Sequence, residues 1–383
     1  MTEEHEGVTA PSGKAGLFAG KLRRPGEKAG SVPDPGSVPD PGPVPDPVPD
    51  PAPQPEPPPV KRFRIFRLVG WVALVMAAVV VGTSILLANG PPTEAELRER
   101  AGLFSKDRLR IGVKSDTPGI SLQEKTGRRA FKGFDIQIAY MIAADLGFSP
   151  DKIDFLSIET EDRARMQAKD DQGRFVKVDL VVATFSVTPD RRKDAAVGFS
   201  TPYLYTEQSV VTRSDYPGKI TSLVDLEGKH VCTLGTSTSA IELEKATGAK
   251  ATARNLISDC IADLKAGKFE AVTTDAAILA GFVAESGGKL VHHDIALEKT
   301  EMWAVNTGPN KALRDLVDLA LYRSYADPQD QRWEQAYQMY IDPLLAANPG
   351  INVAQAQQPC ALPPAVRRWP WERTLPVQEC STS

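Results

Sequence analysis

Between Leu68 and Ala88 the chain runs for twenty-one residues without a charged side chain. As an α-helix such a run rises about 31 Å, at about 1.5 Å per residue, enough to cross a hydrocarbon core of roughly 30 Å. A buried helix of that length in a soluble protein would carry polar residues on some face, so the run reads as a membrane span. Lys61, Arg62, Arg64 and Arg67 precede it, whereas its far flank mixes Glu94, Glu96 and Glu99 with Arg98 and Arg100. The positive-inside rule then expects the N-terminus in the cytoplasm and residues 90–383 outside, on a single-pass cell-membrane protein. A secretory signal would need a charged leader some sixty residues long, far beyond the usual length, and Ala88-Asn89-Gly90 is a poor cleavage site. No cysteine follows the run to take a lipid, so an uncleaved anchor is expected.

Residues 1–60 ahead of the span are expected to form a disordered cytoplasmic tail, Pro-rich at 31–59. There the unit V-P-D-P recurs at Val32–Pro35, Val38–Pro41, Val44–Pro47 and Val48–Pro51. Proline fixes φ and removes backbone donors, which leaves an extended, solvated spacer. Docking to a proline-recognising partner is the alternative.

Beyond the span the pattern changes to short apolar strands alternating with amphipathic helices. Leu109–Val113, Val178–Ala183, His230–Leu234 and Ala271–Thr274 read as strands, and Phe134–Leu146, Ser239–Ala246 and Ala276–Val283 as helices. Such alternation predicts parallel sheets covered on both faces, hence an α/β fold. About 235 residues of it exceed one comfortable core, so two lobes are expected. The formal net charge of −4 gives no general attraction to nucleic acid. Cys232, Cys260, Cys360 and Cys380 contain no C-x-x-C pair, which argues against structural zinc. An even count outside the cytoplasm favours disulfides. The tail 346–383 is proline-rich, weakly periodic and expected to be irregular, and Cys360 and Cys380 could close a loop within it.

Three constellations sit where strands end and helices begin, the edge at which open α/β sheets bind ligands. Thr184-Phe185-Ser186-Val187-Thr188-Pro189-Asp190-Arg191 offers hydroxyls that can accept from an ammonium and a guanidinium that can fork onto a carboxylate. A plain surface turn would show the same residues. Gly235-Thr236-Ser237-Thr238-Ser239 could form an anion site at a helix start or simply cap that helix. Asp275 could meet an ammonium or cap the helix after it. The histidines His230, His292 and His293 lie away from these motifs, the adjacent pair reading as an exposed strand edge.

Taken in order, Gly133–Ala139, Ser186–Lys193, Phe199–Tyr203, Gly235–Ser237 and Thr274–Gly281 resemble the polar amino-acid-binding proteins of ABC importers, family 3 of the bacterial solute-binding proteins. The resemblance covers about residues 107–343. It implies a two-lobed periplasmic-binding-protein-like fold of type II over 107–345. One lobe would be about 109–206 and 309–344, the other about 213–299. The glutamate-binding branch is the most similar, since it carries cysteines where this chain has Cys232 and Cys260 and a segment like Asp116-Thr117-Pro118-Gly119. The resemblance implies a Cys232–Cys260 disulfide. It gives Arg191 the ligand's α-carboxylate, with Ser237, and gives Asp275 the α-ammonium, with Thr184 and Ser186. Arg163 becomes a candidate for a side-chain carboxylate. The chain departs from the pattern in an insertion at Ala168–Lys177 and in having Gly119 and Ile120 where a ligand-stacking aromatic is usual.

The expected function is therefore extracytoplasmic binding of a free polar amino acid, among glutamate, glutamine, aspartate and asparagine, by hinge closure. An ABC permease would receive the ligand, and no catalysis, cofactor or metal is expected. A sensor reporting to a membrane or kinase partner is the alternative, since an anchor with a cytoplasmic tail exceeds what a receptor needs. A small-acid lyase on the same fold is a remote third.

Overall fold

A computed structural model describes residues 60–124, 130–248, 251–295, 297, 299–368, 375 and 380. The tail expected at 1–60 lies almost wholly outside these residues. Helix α1 spans Val60–Asn89, and its segment Phe63–Ile85 is long and apolar enough to cross a membrane. Of the body, α2 (Glu94–Arg100) begins at a capping box in which Thr93 and Glu96 satisfy each other's backbone amides.

The chain then forms β1 (Leu109–Val113), β2 (Asp116–Thr117), β3 (Ser121–Gln123), β4 (Phe131–Lys132) and α3 (Phe134–Asp145). Next come β5 (Ile153–Ser157), β6 (Gln167–Lys169), β7 (Phe175–Lys177), β8 (Leu180–Val181) and α4 (Pro189–Lys193). The long β9 (Phe199–Arg213) leads to β10 (Val231–Leu234), α5 (Thr238–Thr247), β11 (Thr252–Arg254) and α6 (Ile257–Lys265). β12 (Ala271–Asp275), α7 (Ala276–Ala284) and β13 (Leu290–His293) follow; β14 (Thr300–Asn306), α8 (Lys311–Ala326), α9 (Arg332–Tyr340) and α10 (Asp342–Ala347) complete the described elements.

Two groups of parallel strands give the fold its two lobes. In one, β1 lies between β5 and β8; in the other, β10 lies between β11 and β12. β9 belongs to both. Its first part, to Glu207, pairs antiparallel with β14, and from Gln208 onward it pairs with β12 and β13. The handover between Glu207 and Gln208 is where one continuous strand passes from lobe to lobe.

The strand expected over Val178–Ala183 is reduced to Leu180–Val181. Its flanks still bond to β1, through Asp179 N to Arg110 O and Val182 N to Gly112 O, but on its other side only Asn306 pairs with Val181. The insertion at Ala168–Lys177 folds into a hairpin of β6 and β7 on the sheet edge. Asp170 closes its turn by accepting from the amides of Gln172 and Arg174, both at 2.9 Å. The expectation of an exposed histidine pair is corrected. His293 is buried, and His292 bonds Ser209 Oγ and Asn348 Oδ1, each at 2.7 Å, because β13 is zipped onto β9.

Helix α3 is buried along most of its length because it runs against β1 and the C-terminal helices. It starts at Gly133, where φ is 132° and a Cβ would stand 2.2 Å from Ile120 O, so only glycine fits. Phe134 meets Trp333 edge-on at 5.9 Å, and Trp333 stacks on Tyr337 at 5.1 Å. Past α10 the described residues form neither helix nor strand, yet they are tied down. Thr206 Oγ1 donates to Val353 O at 2.6 Å, Gln355 N to Tyr205 O at 3.0 Å, and Arg367 N to Pro92 O at 2.8 Å. Disulfides join Cys232 to Cys260 and Cys360 to Cys380, each with Cα atoms 5.6 Å apart.

Candidate functional site

The carboxyl ends of both strand groups face one another, and hydrogen bonds cross between the lobes there. Arg191 Nη2 donates to Thr236 O at 2.9 Å, Asn255 Nδ2 to Glu159 Oε2 at 3.2 Å, and Ser258 N to Asp116 Oδ2 at 3.0 Å. The candidate residues lie along this seam.

Thr184 ends β8's extension with φ of 49°, a left-handed conformation unusual for a threonine. Asp135, buried at the start of α3, holds it there by accepting from Thr184 N at 3.1 Å while Tyr203 Oη donates to its other oxygen at 2.9 Å. The turn aims two carbonyls at one cation. Arg163 Nη1 donates to Thr184 O at 2.7 Å and Ala183 O at 3.2 Å, and its Nε donates to Thr160 O at 3.1 Å. Arg163 is thus part of the loop framework, and burial pulls its pKa down to about 9. Asn306 Nδ2 fixes the same loop through Arg163 O at 2.9 Å.

Arg191 sits on α4, whose N-cap Thr188 accepts from Arg191 N at 3.2 Å. Its Nη1 donates to Ser186 O at 2.7 Å. Its guanidinium carbon lies 4.8 Å from the Phe185 ring centroid, and that of Arg163 lies at the same distance. One aromatic ring therefore organises both cations. Thr236, the acceptor across the seam, also has a positive φ, 55°. Each of these left-handed threonines turns its carbonyl to an arginine.

Ser237 behaves as a helix cap: its Oγ donates to Leu234 O at 2.8 Å and accepts from Ala240 N at 3.1 Å. Ser239, two residues on, is the hydroxyl nearer the acid, with its Oγ 3.5 Å from Asp275 Oδ1. Asp275 ends β12, is 4% exposed, and accepts from Trp303 Nε1 at 2.6 Å. Burial raises its pKa well above the usual carboxylate range, the buried Glu301 raises it further, and Arg163 and Arg191 pull it back. The seam therefore brings Arg191, Arg163 and Asp275 into one electrostatic neighbourhood, with Thr184 and Ser186 presenting backbone carbonyls to the arginines. A guanidinium on one lobe and a carboxylate on the other suit a zwitterion.

Sequence reasoning missed Trp303 and Glu301. They stand at i and i+2 on β14, so they share a face, and that alternation was the available signal. Asp135 lies within Gly133–Ala139, yet nothing local shows that it reaches Thr184, 49 positions later.

The family described as bacterial extracellular solute-binding proteins, family 3, matches residues 109–342. A glutamate-binding protein, GluB, of Corynebacterium efficiens is 28% identical over 58% of this chain and 76% of its own length. An ABC transporter glutamine-binding protein, GlnH, of Bacillus subtilis is 28% identical over 66% of this chain and 89% of its own. Among solved structures, a solute receptor for L-cysteine of Neisseria gonorrhoeae superposes with a TM-score of 0.55 at 25% identity, covering 68% of this chain and 98% of that one.

Proposed function

Since this chain belongs to family 3 of the bacterial extracellular solute-binding proteins, we propose that it binds a free polar amino acid outside the cytoplasm and delivers it to an ABC importer. Helix α1 keeps the body on the cell membrane, with the N-terminus inside. The binding step is hinge closure about β9 and β14, and no bond is made or broken.

One arrangement carries this reading. Arg191, on α4 beyond the carboxyl end of β8, and Asp275, at the carboxyl end of β12, belong to different lobes, and each lies within the other's electrostatic reach. Arg191 takes the α-carboxylate in exchange for its carbonyl contacts. Asp275 takes the α-ammonium, with Trp303 and Ser239 holding the carboxylate in place. Thr184 and Ser186 contribute hydroxyls or carbonyls, and Ser237 its helix-start amide. The names of the similar proteins support glutamate or glutamine as the ligand class. A membrane sensor is the second reading, favoured by α1 and the length of chain before it.

A thermal-shift screen of the detergent-solubilised full chain against the twenty amino acids tests the binding. Ligand at a hundred times its dissociation constant adds about 2.7 kcal/mol. A flat response to all twenty would sink it. Protease treatment of intact cells tests the topology: the body should be removed and a tag before Met1 spared. Co-purification with a permease supports import, and with a kinase, sensing.

A further inference from the structure

Beyond residue 342, where the family match stops, the chain does not leave the body. It runs on across the hinge as a strap. Asn348, buried just after α10, fastens it to the lobe of β10, β11 and β12. Asn348 Nδ2 donates to Ala280 O on α7 at 3.1 Å, and its Oδ1 meets His292 Nδ1 on β13 at 2.7 Å. An amide oxygen only accepts, so His292 donates from Nδ1 and accepts from Ser209 Oγ through Nε2, at 2.7 Å. The middle of the strap lies on β9 beside the handover. Thr206 Oγ1 donates to Val353 O at 2.6 Å and accepts from Ala277 N, at the start of α7, at 3.3 Å. Gln355 N donates to Tyr205 O at 3.0 Å, and Asn352 Nδ2 to Glu207 Oε1.

The far end is fastened to the other lobe. Tyr337 Oη on α9 donates to Ala354 O at 3.2 Å, and Gln358 Nε2 donates to Leu321 O on α8 at 3.1 Å. The Cys360–Cys380 disulfide closes the loop that carries Arg367, whose amide reaches Pro92 O, ahead of α2, at 2.8 Å. A hinge between Glu207 and Gln208 carries Ala280 and His292 away from Leu321 and Tyr337 as it opens. The strap is fixed on both sides of that point, so the rotation must strip Asn348 or Val353 of buried partners. Both residues are buried, and a polar group left unpaired there is costly. Bonds made in one arrangement of the lobes and lost in another shift the equilibrium toward the first. These are made where Arg191 and Thr236 join the seam.

We propose that residues 348–358 form a further crossing between the lobes, which holds the hinge toward its closed arrangement before any ligand arrives. The strap works away from the clamp of Arg191 and Asp275 and does not depend on which amino acid binds. Pulsed dipolar spectroscopy on the detergent-solubilised full chain, without ligand, tests it. Spin labels at Lys245→Cys on α5 and Lys311→Cys on α8, both exposed, report the separation of the lobes. The native cysteines are paired in disulfides and leave the labels specific. Thr206→Val keeps the shape of the side chain and removes the hydroxyl that joins Val353 to Ala277. Asn348→Ala removes the bonds to Ala280 and His292. Each variant should raise the ratio of separated to closed lobes by on the order of threefold to tenfold, the weight of one buried hydrogen bond. Separations unchanged or shorter in a folded Thr206→Val overturn the proposal, and so does a variant that melts lower with its separations unchanged. Should Asn348→Ala fail to fold, Thr206→Val decides alone. No ligand enters the measurement, so the amino-acid-binding reading stands or falls separately, on the thermal-shift screen.

Discussion

Arg191 on one lobe donates to the carbonyl of Thr236 on the other across 2.9 Å, so the residue proposed to bind the ligand's carboxylate is also a contact between the lobes. The carbonyls of Thr236 and Ser186 stand where carboxylate oxygens would compete for the same N–H groups. Arg191→Ala should therefore weaken every amino-acid ligand alike, since the α-carboxylate is common to all. Truncating one partner of a buried charge pair costs about 2–5 kcal/mol, or roughly 30- to several-thousand-fold in affinity. Calorimetry with several ligands measures this, and an unchanged affinity in a folded variant removes Arg191 from the site.

The Cys232–Cys260 bridge ties β10 to α6 over 28 positions. Both cysteines are buried. By chain entropy a loop of that size stabilises by about 3–4 kcal/mol. A Cys232→Ala/Cys260→Ala variant should melt roughly 6–15 °C lower than the wild type under identical conditions. Calorimetric melting decides it, and an unshifted transition would show the bridge to be energetically idle.

The strand-and-helix alternation was readable because each element has its own apolar period. Leu109–Val113 and Ala271–Asp275 are buried strands, and Ala276–Ala284 an almost wholly buried helix. The bridge between Cys232 and Cys260 was legible only through resemblance, because spacing alone does not choose among four cysteines. The motifs at Thr184–Arg191, Gly235–Ser239 and Asp275 could be found because each sits at a strand end. What they touch could not. Ser237 spends its hydroxyl on capping, Arg163 is gripped by three carbonyls, and Trp303 holds Asp275 from a strand 28 positions away. These are long-range choices between equivalent local partners, and only the packed chain makes them. The histidine pair misled for the same reason: its neighbour β9 is some eighty residues earlier.

Asp135 gives a prediction about stability. Burial raises its pKa to about 7 despite the bonds from Tyr203 and Thr184. The folded state therefore favours the protonated acid more than the unfolded chain does. Stability from this group is fully present below about pH 4, falls as pH rises toward 7, and is constant above. Asp135→Asn can serve both partners without charge, accepting from Thr184 N and donating to Tyr203 Oη. Denaturant titrations should show the variant gaining on the wild type between pH 4 and pH 7, by at most about 4 kcal/mol. A constant difference across that range would mean that Asp135 does not titrate there.

Asp275 gives the opposite slope in binding. Its carboxyl is held protonated to a higher pH than usual by burial first and by Glu301 second, while Arg163 and Arg191 favour the charged form. A ligand ammonium needs the carboxylate. Below the raised pKa, binding must expel a proton; above it, none. Affinity for every amino acid should then weaken as pH falls from 8 to 5, by up to about tenfold per pH unit once the acid is protonated. Calorimetry in two buffers of different ionisation heat should register proton release at the acidic end. Asp275→Asn should bind more weakly at pH 8 and lose the acidic slope. A wild-type affinity that does not change across this range, with no proton released, would mean that Asp275 is not the group meeting the ammonium.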